Sequence, residues 1–377
     1  MTKRIVLVGA GHAHVEVLRR FGREPPPGAS LTLITPARLA PYSGMLPGVI
    51  AGRHGIDESH IDTVPLARLA GAEIIEDAAD GIDLEAGRVL RRDGPPVPFD
   101  FLSLDVGSTP NTGDVPGAAE AAIPVKPIAA FLPRFEALLG RVLARRGEAR
   151  IAMVGAGAGG VELLLAIERR LRREVEAAGH DATRLGFILV SGAPTILPSF
   201  PEALRRRFET VLARRGISVL VDAPVASVEP GRLHFADRPS LAADEILWAA
   251  QAAAPAWLRE TGLALDADGF VRTDACLRAL GRENVFAAGD VAAFAPRPLP
   301  KAGVYAVRAG PVLARNLRRA AAGESLRPFE PQHEALYIIT TGDAHAVGAR
   351  NGLVAEGTWV YRVKDWIDRR FMRRYAV

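Results

Sequence analysis

The chain has 377 residues, which is too long for one hydrophobic core and long enough for two or three domains. Hydrophobic residues make up 49% of it and charged residues 24%, a balance typical of globular proteins. The net charge of +4 resides in residues 362–377, which carry six basic and two acidic side chains. The rest of the chain is neutral, which argues against a general nucleic-acid binder. The N-terminus runs directly into a strand pattern, so we expect no signal peptide and a cytoplasmic protein.

An internal repeat organises the chain. Residues 4–11 recur as residues 150–157, and the match continues at the same offset through Val15-Glu16 and Val161-Glu162. Each copy predicts a buried parallel strand, a glycine turn and a helix. Further strands are predicted at matching places in the two copies: 31–35 and 187–191, then 99–108 and 244–251, with a last strand at 285–288.

This repeat predicts an α/β fold with two Rossmann-like dinucleotide-binding domains, the second inserted in the first. Prolines and glycines between residues 109 and 127 indicate the crossover between them. We expect the first domain to comprise residues 1–118 and 260–325 and the second to comprise residues 119–259. Residues 326–377 form a C-terminal region.

The glycine loops predict the binding of dinucleotides. Glycines permit a tight turn and close approach of the backbone to a pyrophosphate, and the helix N-terminus supplies N–H groups. The loop residues are, in the first copy, Gly9 and Gly11 with His14 in place of the third glycine, and, in the second copy, Gly155, Gly157 and Gly160 followed by Glu162. Two copies, each directly after a buried strand, favour ligand binding over a pair of empty tight turns.

The acidic residue usually found at the end of the second strand, where it holds the adenosine ribose, is absent from both copies. Thr35 and Ser191 stand there instead. Ribose binding must therefore come from hydroxyl groups, backbone or water. Since no carboxylate at Ser191 would repel a 2′-phosphate, NADH and NADPH both remain candidates.

Longer motifs carry a family resemblance over residues 3–325. Beside the two glycine loops, they are residues 100–108, which include Gly107, with Pro110-Asn111, and residues 284–290, which end in Gly289-Asp290. With these motifs the chain resembles the pyridine nucleotide-disulfide oxidoreductase superfamily. The resemblance implies FAD on the first domain, a nicotinamide dinucleotide on the second, and Asp290 on the flavin ribityl chain.

Within the superfamily the chain is most similar to the type II NADH dehydrogenase and sulfide:quinone reductase group. The similar flavin-side segments are residues 41–47, which include Ser43, residues 116–117, residues 124–126, and residues 300–306, which include Ala302 and Tyr305. Gly-His-Ala-His at 11–14, the 41–47 segment and the tail at 364–371 resemble a narrower branch. That branch is found fused to, or beside, selenophosphate synthetase.

Three departures limit what the resemblance implies. Cys276 is the single cysteine, so a redox-active disulfide is excluded and a packed thiol is expected. The glutamines that type II dehydrogenases place beside the quinone are absent near residues 305–309, which weakens the prediction of a quinone as acceptor. Gln251 replaces a glycine in the second domain, which weakens the prediction for the nicotinamide relative to FAD.

Lys126, Lys301 and Tyr305 are the candidate catalytic residues. A cation near flavin N1 stabilises reduced flavin, although ordinary solvent-exposed lysines are an equal alternative. We expect His12 and His14 either to face the flavin or its pyrophosphate or, for His14, to pack between helix and strand. We predict no metal site, since no further ligands accompany the two histidines.

The leading hypothesis is an FAD-dependent oxidoreductase that takes a hydride from NAD(P)H and passes electrons to a small acceptor, for example a quinone. The alternatives are a soluble flavin reductase in selenium or sulfur metabolism and a non-catalytic flavin-binding sensor or scaffold. A homodimer is common in the superfamily.

The tail predicts a basic amphipathic helix. Its expected apolar face comprises Val363, Trp366, Ile367 and Phe371. Such a helix suits docking of residues 360–377 on a partner or on the inner face of the cytoplasmic membrane. A helix that packs on the protein's own body would show the same pattern.

Overall fold

A computed structural model describes residues 2–377. Its first segment supplies four strands of one parallel sheet, together with covering helices and small antiparallel ribbons. The elements are β1 (Lys3–Val8), α1 (His12–Phe21), β2 (Ala29–Thr35), β3 (Leu39–Pro41), a 3-10 helix (Ser43–Met45), α2 (Leu46–Ile50), α3 (Ile56–Ser59), β4 (His60–Asp62), α4 (Thr63–Ala70), β5 (Ala72–Glu76), β6 (Ala79–Asp83), β7 (Arg88–Arg91), β8 (Val97–Pro98), β9 (Phe101–Leu104) and β10 (Thr109–Pro110).

The second segment forms a complete sheet of its own. Its elements are α5 (Ala118–Ala121), β11 (Ile123–Pro124), α6 (Ile128–Ala144), β12 (Ala149–Val154), α7 (Ala158–Ala177), a 3-10 helix (Ala182–Arg184), β13 (Leu185–Val190), α8 (Glu202–Arg214), β14 (Ile217–Leu220), β15 (Val225–Glu229), β16 (Arg232–Phe235), β17 (Leu241–Ala242), β18 (Glu245–Trp248) and β19 (Ala252–Ala253).

The remaining chain returns to the first sheet and then builds a small C-terminal layer. Its elements are a 3-10 helix (Ala256–Glu260), β20 (Val271–Thr273), β21 (Val285–Ala287), a 3-10 helix (Gly289–Val291), β22 (Ala292–Phe294), α9 (Gly303–Ala321), β23 (Tyr337–Thr340), β24 (Ala346–Arg350), β25 (Leu353–Gly357) and α10 (Thr358–Arg373).

Both main sheets are parallel, as the repeat predicts. The first has the order β21-β9-β1-β2-β5 and the second β11-β18-β12-β13-β14. Because helices cover both faces, the central strands are apolar and buried along most of their length. The late strand β21 pairs with β9, so the chain completes the first sheet only after it has built the second. This topology is that of one α/β unit inserted in another.

Two chain crossings connect the sheets. Strands β10 and β19 run in opposite directions and pair with each other, with Thr109 opposite Ala253. The indole Nε1 of Trp248 donates a hydrogen bond to the carbonyl oxygen of Asn111 at 2.9 Å. The crossings are thereby fastened to each other beside the carboxyl end of β18.

The C-terminal region is a three-stranded antiparallel sheet, β23-β24-β25, followed by α10. Val347 packs in the core of the second unit, whereas Phe371 and Tyr375 pack in the core of the first. The region therefore contacts both units. Among the helices that residues 2–377 form, none has the length and apolar character needed to cross a bilayer.

Candidate functional site

The first glycine loop encloses the side chain of Asp105, which follows β9. Gly9 has a φ of +88°, and a Cβ there would lie 2.5 Å from the carbonyl oxygen of Asp105. A Cβ at Gly11 would lie 2.4 Å from the Asp105 carboxyl carbon, and one at Gly289 would lie 2.5 Å from its Oδ1. These glycines are therefore required by the neighbouring chain itself, in addition to any ligand.

Asp105 also caps the helix behind the loop. Its Oδ2 accepts hydrogen bonds from the backbone N–H groups of Ala13 at 2.8 Å and His14 at 2.9 Å. Burial raises the pKa of Asp105 to about 7, against the opposing effect of these two N–H groups. Sequence reasoning missed this residue, since it stands in the strand-turn motif where only Gly107 attracted notice.

His14 is fully buried between helix and strand. Its Nδ1 lies 2.6 Å from the carbonyl oxygen of Gly9, and its Nε2 lies 2.8 Å from the hydroxyl of Ser103. Because the carbonyl can only accept, Nδ1 carries the proton and Nε2 accepts from Ser103. Burial lowers the pKa of His14 to about 4, so the ring is neutral. Both ring nitrogens are engaged within the protein.

His12 instead faces the loop that contains Ser43. Its Nε2 lies 3.3 Å from the Ser43 hydroxyl, and its ring packs near Tyr42 and Phe371 with centroid distances of 5.3 and 5.9 Å. Tyr42 and Phe371 stack on each other at 4.4 Å. Burial lowers the pKa of His12 to about 4. The N-terminal loop, the 41–47 segment and the tail therefore meet at one point.

Asp290 lies at the centre of a compact polar cluster. Lys126 donates to Asp290 Oδ2 at 2.9 Å and to the hydroxyl of Ser108 at 3.2 Å, and Ser108 donates to the same carboxylate at 3.1 Å. Burial acts to raise the pKa of Asp290, but Lys126 and Ser108 outweigh it and hold the pKa below its ordinary value. Asp290 is therefore an ionised carboxylate at the end of a buried strand.

Lys301 lies beside this cluster, immediately before α9. Its Nζ donates to the carbonyl oxygen of Ala292 at 2.8 Å and lies 3.5 Å from the ring centre of Phe270. Burial lowers the pKa of Lys301 to about 8, although Asp290 favours its charged form. Ala302 is the N-cap of α9, and Tyr305 is buried in the first turn of that helix.

A cavity of about 650 Å³ opens on the outer side of Lys301. It extends from Lys301 and Phe270 to Gln251, at the carboxyl end of the second sheet. Gln251 has a φ of +36°, a conformation that the glycine expected there would adopt more easily. The cavity thus lies where a group bound to the second unit could approach the Asp290 cluster.

The second glycine loop is more open than the first. A Cβ at Gly160 would lie 1.9 Å from the carbonyl oxygen of Gly155, so Gly160 allows α7 and β12 to pack closely. A Cβ at Gly157 would meet no heavy atom of residues 2–377 within 4 Å, apart from its chain neighbours. Gly155, with a φ of +110°, closes the turn against Ala249. The loop leaves room for a ligand beside Gly157.

Glu162 points toward the C-terminal region. Its carboxylate accepts from the backbone N–H of Thr340 at 2.8 Å and from the Thr340 hydroxyl at 2.7 Å. Burial raises the pKa of Glu162, against the effect of nearby Lys364. Lys364 in turn donates to the carbonyl oxygen of Gly44 at 2.6 Å and to Asp368 at 2.7 Å. Sequence reasoning did not find Thr340 and Lys364 as partners of Glu162, because both lie in the C-terminal region, far from Glu162 in the chain.

The two hydroxyl residues at the ends of the second strands behave alike. Thr35 donates to the carbonyl oxygen of Ala37 at 3.0 Å, and Ser191 lies 3.2 Å from the carbonyl oxygen of Ala193. Each hydroxyl proton is therefore directed into its own loop, and the Ser191 oxygen in addition accepts a hydrogen bond from the backbone N–H of Ala193 at 3.2 Å. Gly107, with a φ of +73°, has no other side chain or backbone of residues 2–377 within 4 Å of its Cβ position.

The tail helix differs from its predicted pattern, because the structure divides the expected apolar face. Phe371 is 6% exposed and packs on Tyr42, whereas Val363 is 39% exposed and Trp366 is 56% exposed. The physical reason is that the helix packs with one side only. Phe371 closes the core of the first unit, and Lys364 and Asp368 contact the 41–47 segment. The side that carries Val363 and Trp366 lies on the surface. Trp359, which is 59% exposed, extends the surface stripe.

Comparisons with known proteins agree with this architecture. The chain is 26% identical to the NADH dehydrogenase-like protein YutJ of Bacillus subtilis (strain 168), covering 96% of this chain and 95% of that protein. It is 25% identical to a type II NADH:quinone oxidoreductase of Staphylococcus aureus (strain NCTC 8325 / PS 47), covering 98% and 94%. The fold is similar to that of the sulfide:quinone oxidoreductase of Aquifex aeolicus, with a TM-score of 0.79, 19% identity and coverage of 99% and 91%.

A second solved structure, NDH2 of Plasmodium falciparum in complex with NADH, has the same TM-score of 0.79 at 14% identity, covering 99% of this chain and 98% of that one. The sequence pattern of the pyridine nucleotide-disulphide oxidoreductase family matches residues 3–310. That span includes both glycine loops, the Asp290 cluster and the first turn of α9. The chain therefore belongs to the pyridine nucleotide-disulphide oxidoreductase family.

Proposed function

We propose that the protein is an FAD-dependent oxidoreductase that takes a hydride from NADH or NADPH and passes electrons to a small acceptor such as a quinone. The observation that carries this proposal is the placement of the Asp290 cluster. Lys126, Asp290 and Lys301 lie at the carboxyl end of the first sheet, beside a cavity that reaches Gln251 of the second unit. Ligands of open parallel sheets bind at this end of the strands.

The residues of the first unit fit FAD. The loop from Gly9 to His12 can approach a pyrophosphate, and the ionised carboxylate of Asp290 can accept hydrogen bonds from ribityl hydroxyl groups. When bound, FAD accepts the hydride and releases electrons singly or in pairs. Ser43 and the backbone N–H groups of Gly303 and Val304, which begin α9 after its N-cap Ala302, would orient the ring system.

The second unit fits the nicotinamide dinucleotide. The open side of Gly157, and the first turn of α7, to which the N-cap Gly157 offers no side chain, suit a pyrophosphate. The similarity to type II NADH:quinone oxidoreductases supports NADH, which we propose as the donor. Ser191 introduces no carboxylate that would repel a 2′-phosphate, so NADPH is the alternative donor. We also propose the domain division at residues 118–119 and 259–260, since the two crossing strands lie close to those positions.

Lys126 and Lys301 provide fixed positive charge. A cation held beside the flavin stabilises the negative charge that reduction creates, and a site that excludes water strengthens the effect. Lys126 acts through Asp290, whose position it fixes. Lys301 is partly desolvated and held by Ala292, so its charge is localised at the edge of the cavity. The buried Tyr305 lines a small pocket together with Asp290, Lys301 and Ala302.

A second candidate function concerns the acceptor. The three segments that resemble the branch associated with selenophosphate synthetase contain His12, Tyr42 and Phe371, and these rings contact one another. Their convergence supports a shared role on the flavin side. We therefore also propose a low-molecular-weight acceptor from selenium or sulfur metabolism as the rival to a quinone.

We further propose that α10 docks the protein on an anionic membrane surface. Trp359, Val363 and Trp366 form an exposed apolar stripe, and Arg370 lies 5.4 Å from the Trp366 ring. The Trp359→Ser/Trp366→Ser double variant should lose binding to vesicles that contain anionic lipid. The control Val219→Ser changes an exposed apolar residue of the second sheet and should bind as the wild type does. Equal binding by all three proteins would contradict membrane docking.

Turnover with defined acceptors tests the proposed activity. Full-length protein should contain FAD and should oxidise NADH faster when a water-soluble quinone is present. A selenium- or sulfur-containing acceptor that accelerates turnover more than the quinone would favour the rival acceptor. Protein that contains FAD but oxidises neither NADH nor NADPH with any of these acceptors would contradict the proposed catalysis.

A further inference from the structure

The internal repeat allows Asp105 to be compared with the residue at the equivalent position of the second unit. Strand β9 pairs with β1 as β18 pairs with β12, with Leu104 opposite Val8 and Trp248 opposite Val154. The next residue is Asp105 in the first copy and Ala249 in the second. A carboxyl group therefore stands in one unit at the position where its counterpart has a methyl group.

The two helix starts differ correspondingly. In the first unit, Asp105 Oδ2 accepts from the second and third residues of α1, Ala13 and His14. In the second unit, Ala249 has no carboxyl group to offer the equivalent first turn of α7, and the N-cap residue Gly157 has no side chain that could cap it. Asp105 thus takes two of the N–H groups that a dinucleotide-binding helix usually leaves available. The positive end of the helix dipole is shared between this carboxyl and any bound phosphate.

Asp105 has no cationic partner in residues 2–377. It is 3% exposed, and the charged group that acts on it is Asp290, from the loop after β21, which is a like charge. Of the other titratable groups around it, His12 and His14 on α1 have pKa values of about 4 and are neutral near pH 7. Lys126 is paired with Asp290, and Lys301 is bonded to Ala292. Ionised Asp105 would therefore be an uncompensated buried charge.

We propose that Asp105 is a proton-binding group at the helix end that holds the FAD pyrophosphate. Its carboxyl group is neutral while FAD is bound and ionised after the flavin leaves. Binding of FAD then takes up one proton from solvent, and FAD is held more weakly at higher pH. The inference rests on the proposed occupation of the first loop by FAD. The physical reason is repulsion, because a carboxylate and a pyrophosphate at the same helix end cannot both be ionised without cost.

Burial and the like charge of Asp290, against the opposing effect of the two N–H groups, bring the pKa of Asp105 to about 7, and the pyrophosphate would raise it further. The direction of the pH effect on FAD binding follows from this difference between the pKa of Asp105 without and with FAD. Below pH 7 the carboxyl is protonated with or without FAD, so pH has little effect on binding. Above pH 7 the flavin-free protein must gain a proton in order to bind, so the dissociation constant rises by up to about tenfold per pH unit.

The test compares FAD dissociation from full-length holoprotein at pH 6 and pH 8, measured by the fluorescence of released FAD upon dilution. The wild-type dissociation constant should rise about tenfold between these values. Asp105→Asn keeps an oxygen for the two N–H groups but cannot ionise, so its constant should change less than about twofold. Lys301, whose pKa is about 8, is present in both proteins and accounts for the small residual change. Asp100→Asn is the matched control, because Asp100 precedes the same strand on the surface, and it should behave as the wild type does.

A tenfold change in Asp105→Asn, or none in the wild type, would overturn the proposal. Calorimetry covers the case in which Asp105→Asn does not fold. Addition of FAD to flavin-free wild-type protein at pH 8, in two buffers of different ionisation enthalpy, should show uptake of about one proton per FAD. Absence of proton uptake would overturn the proposed role of Asp105 but not the assignment of FAD to this loop. Wild-type protein that holds no FAD at pH 6 would overturn the assignment of FAD to this loop as well.

Discussion

Lys126 and Asp290 form an ion pair, with 2.9 Å between Nζ and Oδ2, although 164 residues separate them in the chain. Lys126 precedes α6 in the inserted segment, and Asp290 follows the last strand of the first sheet. The pair therefore fastens the inserted segment to the proposed flavin site. It also keeps ionised the carboxylate that we assign to the ribityl chain.

Replacing Lys126 tests this coupling. Lys126→Met leaves Asp290 without its cation and should weaken FAD retention by roughly 1–2 kcal/mol, or about five- to thirtyfold, as measured by release of FAD fluorescence. Lys126→Arg should restore part of the affinity. The control Lys3→Met removes an exposed lysine and should have no effect. Unchanged FAD affinity in Lys126→Met would show that the pair does not support the cofactor.

The pH dependence of flavin reduction should depend on Lys301. Its pKa lies near 8, so the side chain is charged below pH 8 and loses its proton above it. Because the cation favours reduced flavin, the rate of anaerobic reduction by NADH should fall as pH rises through about 8. Lys301→Gln should be slower at pH 7 by at least about tenfold and should not show this fall. A wild-type profile that persists in Lys301→Gln would place the titrating group elsewhere.

Two glycines of the second loop should respond differently to the same substitution. Gly160→Ala would place a Cβ 1.9 Å from the Gly155 carbonyl oxygen and should lower the thermal unfolding temperature markedly. Gly157→Ala meets open space, so the protein should remain folded. The added methyl group would nevertheless lie where we place the pyrophosphate, so the KM for NADH should rise by about tenfold or more. Unchanged NADH kinetics in Gly157→Ala would contradict that placement.

The divided face of α10 predicts a contrast in stability. Phe371→Ala removes a buried ring stacked on Tyr42 and should cost about 3–5 kcal/mol in the free energy of unfolding. Trp366→Ala changes a residue that is 56% exposed and should cost about 0.5 kcal/mol or less. Denaturant unfolding of the two variants measures both values. Equal losses would contradict the placement of these side chains on different surfaces.

The repeat made the main architecture accessible from sequence. Both glycine loops follow buried strands, and the paired motifs fix two parallel sheets with the late strand at residues 285–288 completing the first. Strand periodicity and turn residues are local signals, so they can be recognised without knowledge of tertiary contacts.

The contacts that define the site are not local. Asp105 meets His14 across 91 residues, and Glu162 meets Thr340 across 178. Such contacts depend on strand order and on where the tail folds back, neither of which periodicity reveals. The division of the tail face has the same origin, because one helical pattern serves both a buried ring at Phe371 and an exposed one at Trp366.

Anaerobic mixing with nicotinamide nucleotides tests the central claim most directly. The visible absorbance of the flavin in full-length protein is followed as NADH or NADPH is added without oxygen. If NADH bound to the second unit passes a hydride to FAD on the first, the flavin absorbance should decrease with one equivalent of NADH per FAD. Addition of a quinone should then restore it. A flavin spectrum that neither NADH nor NADPH bleaches would contradict the account.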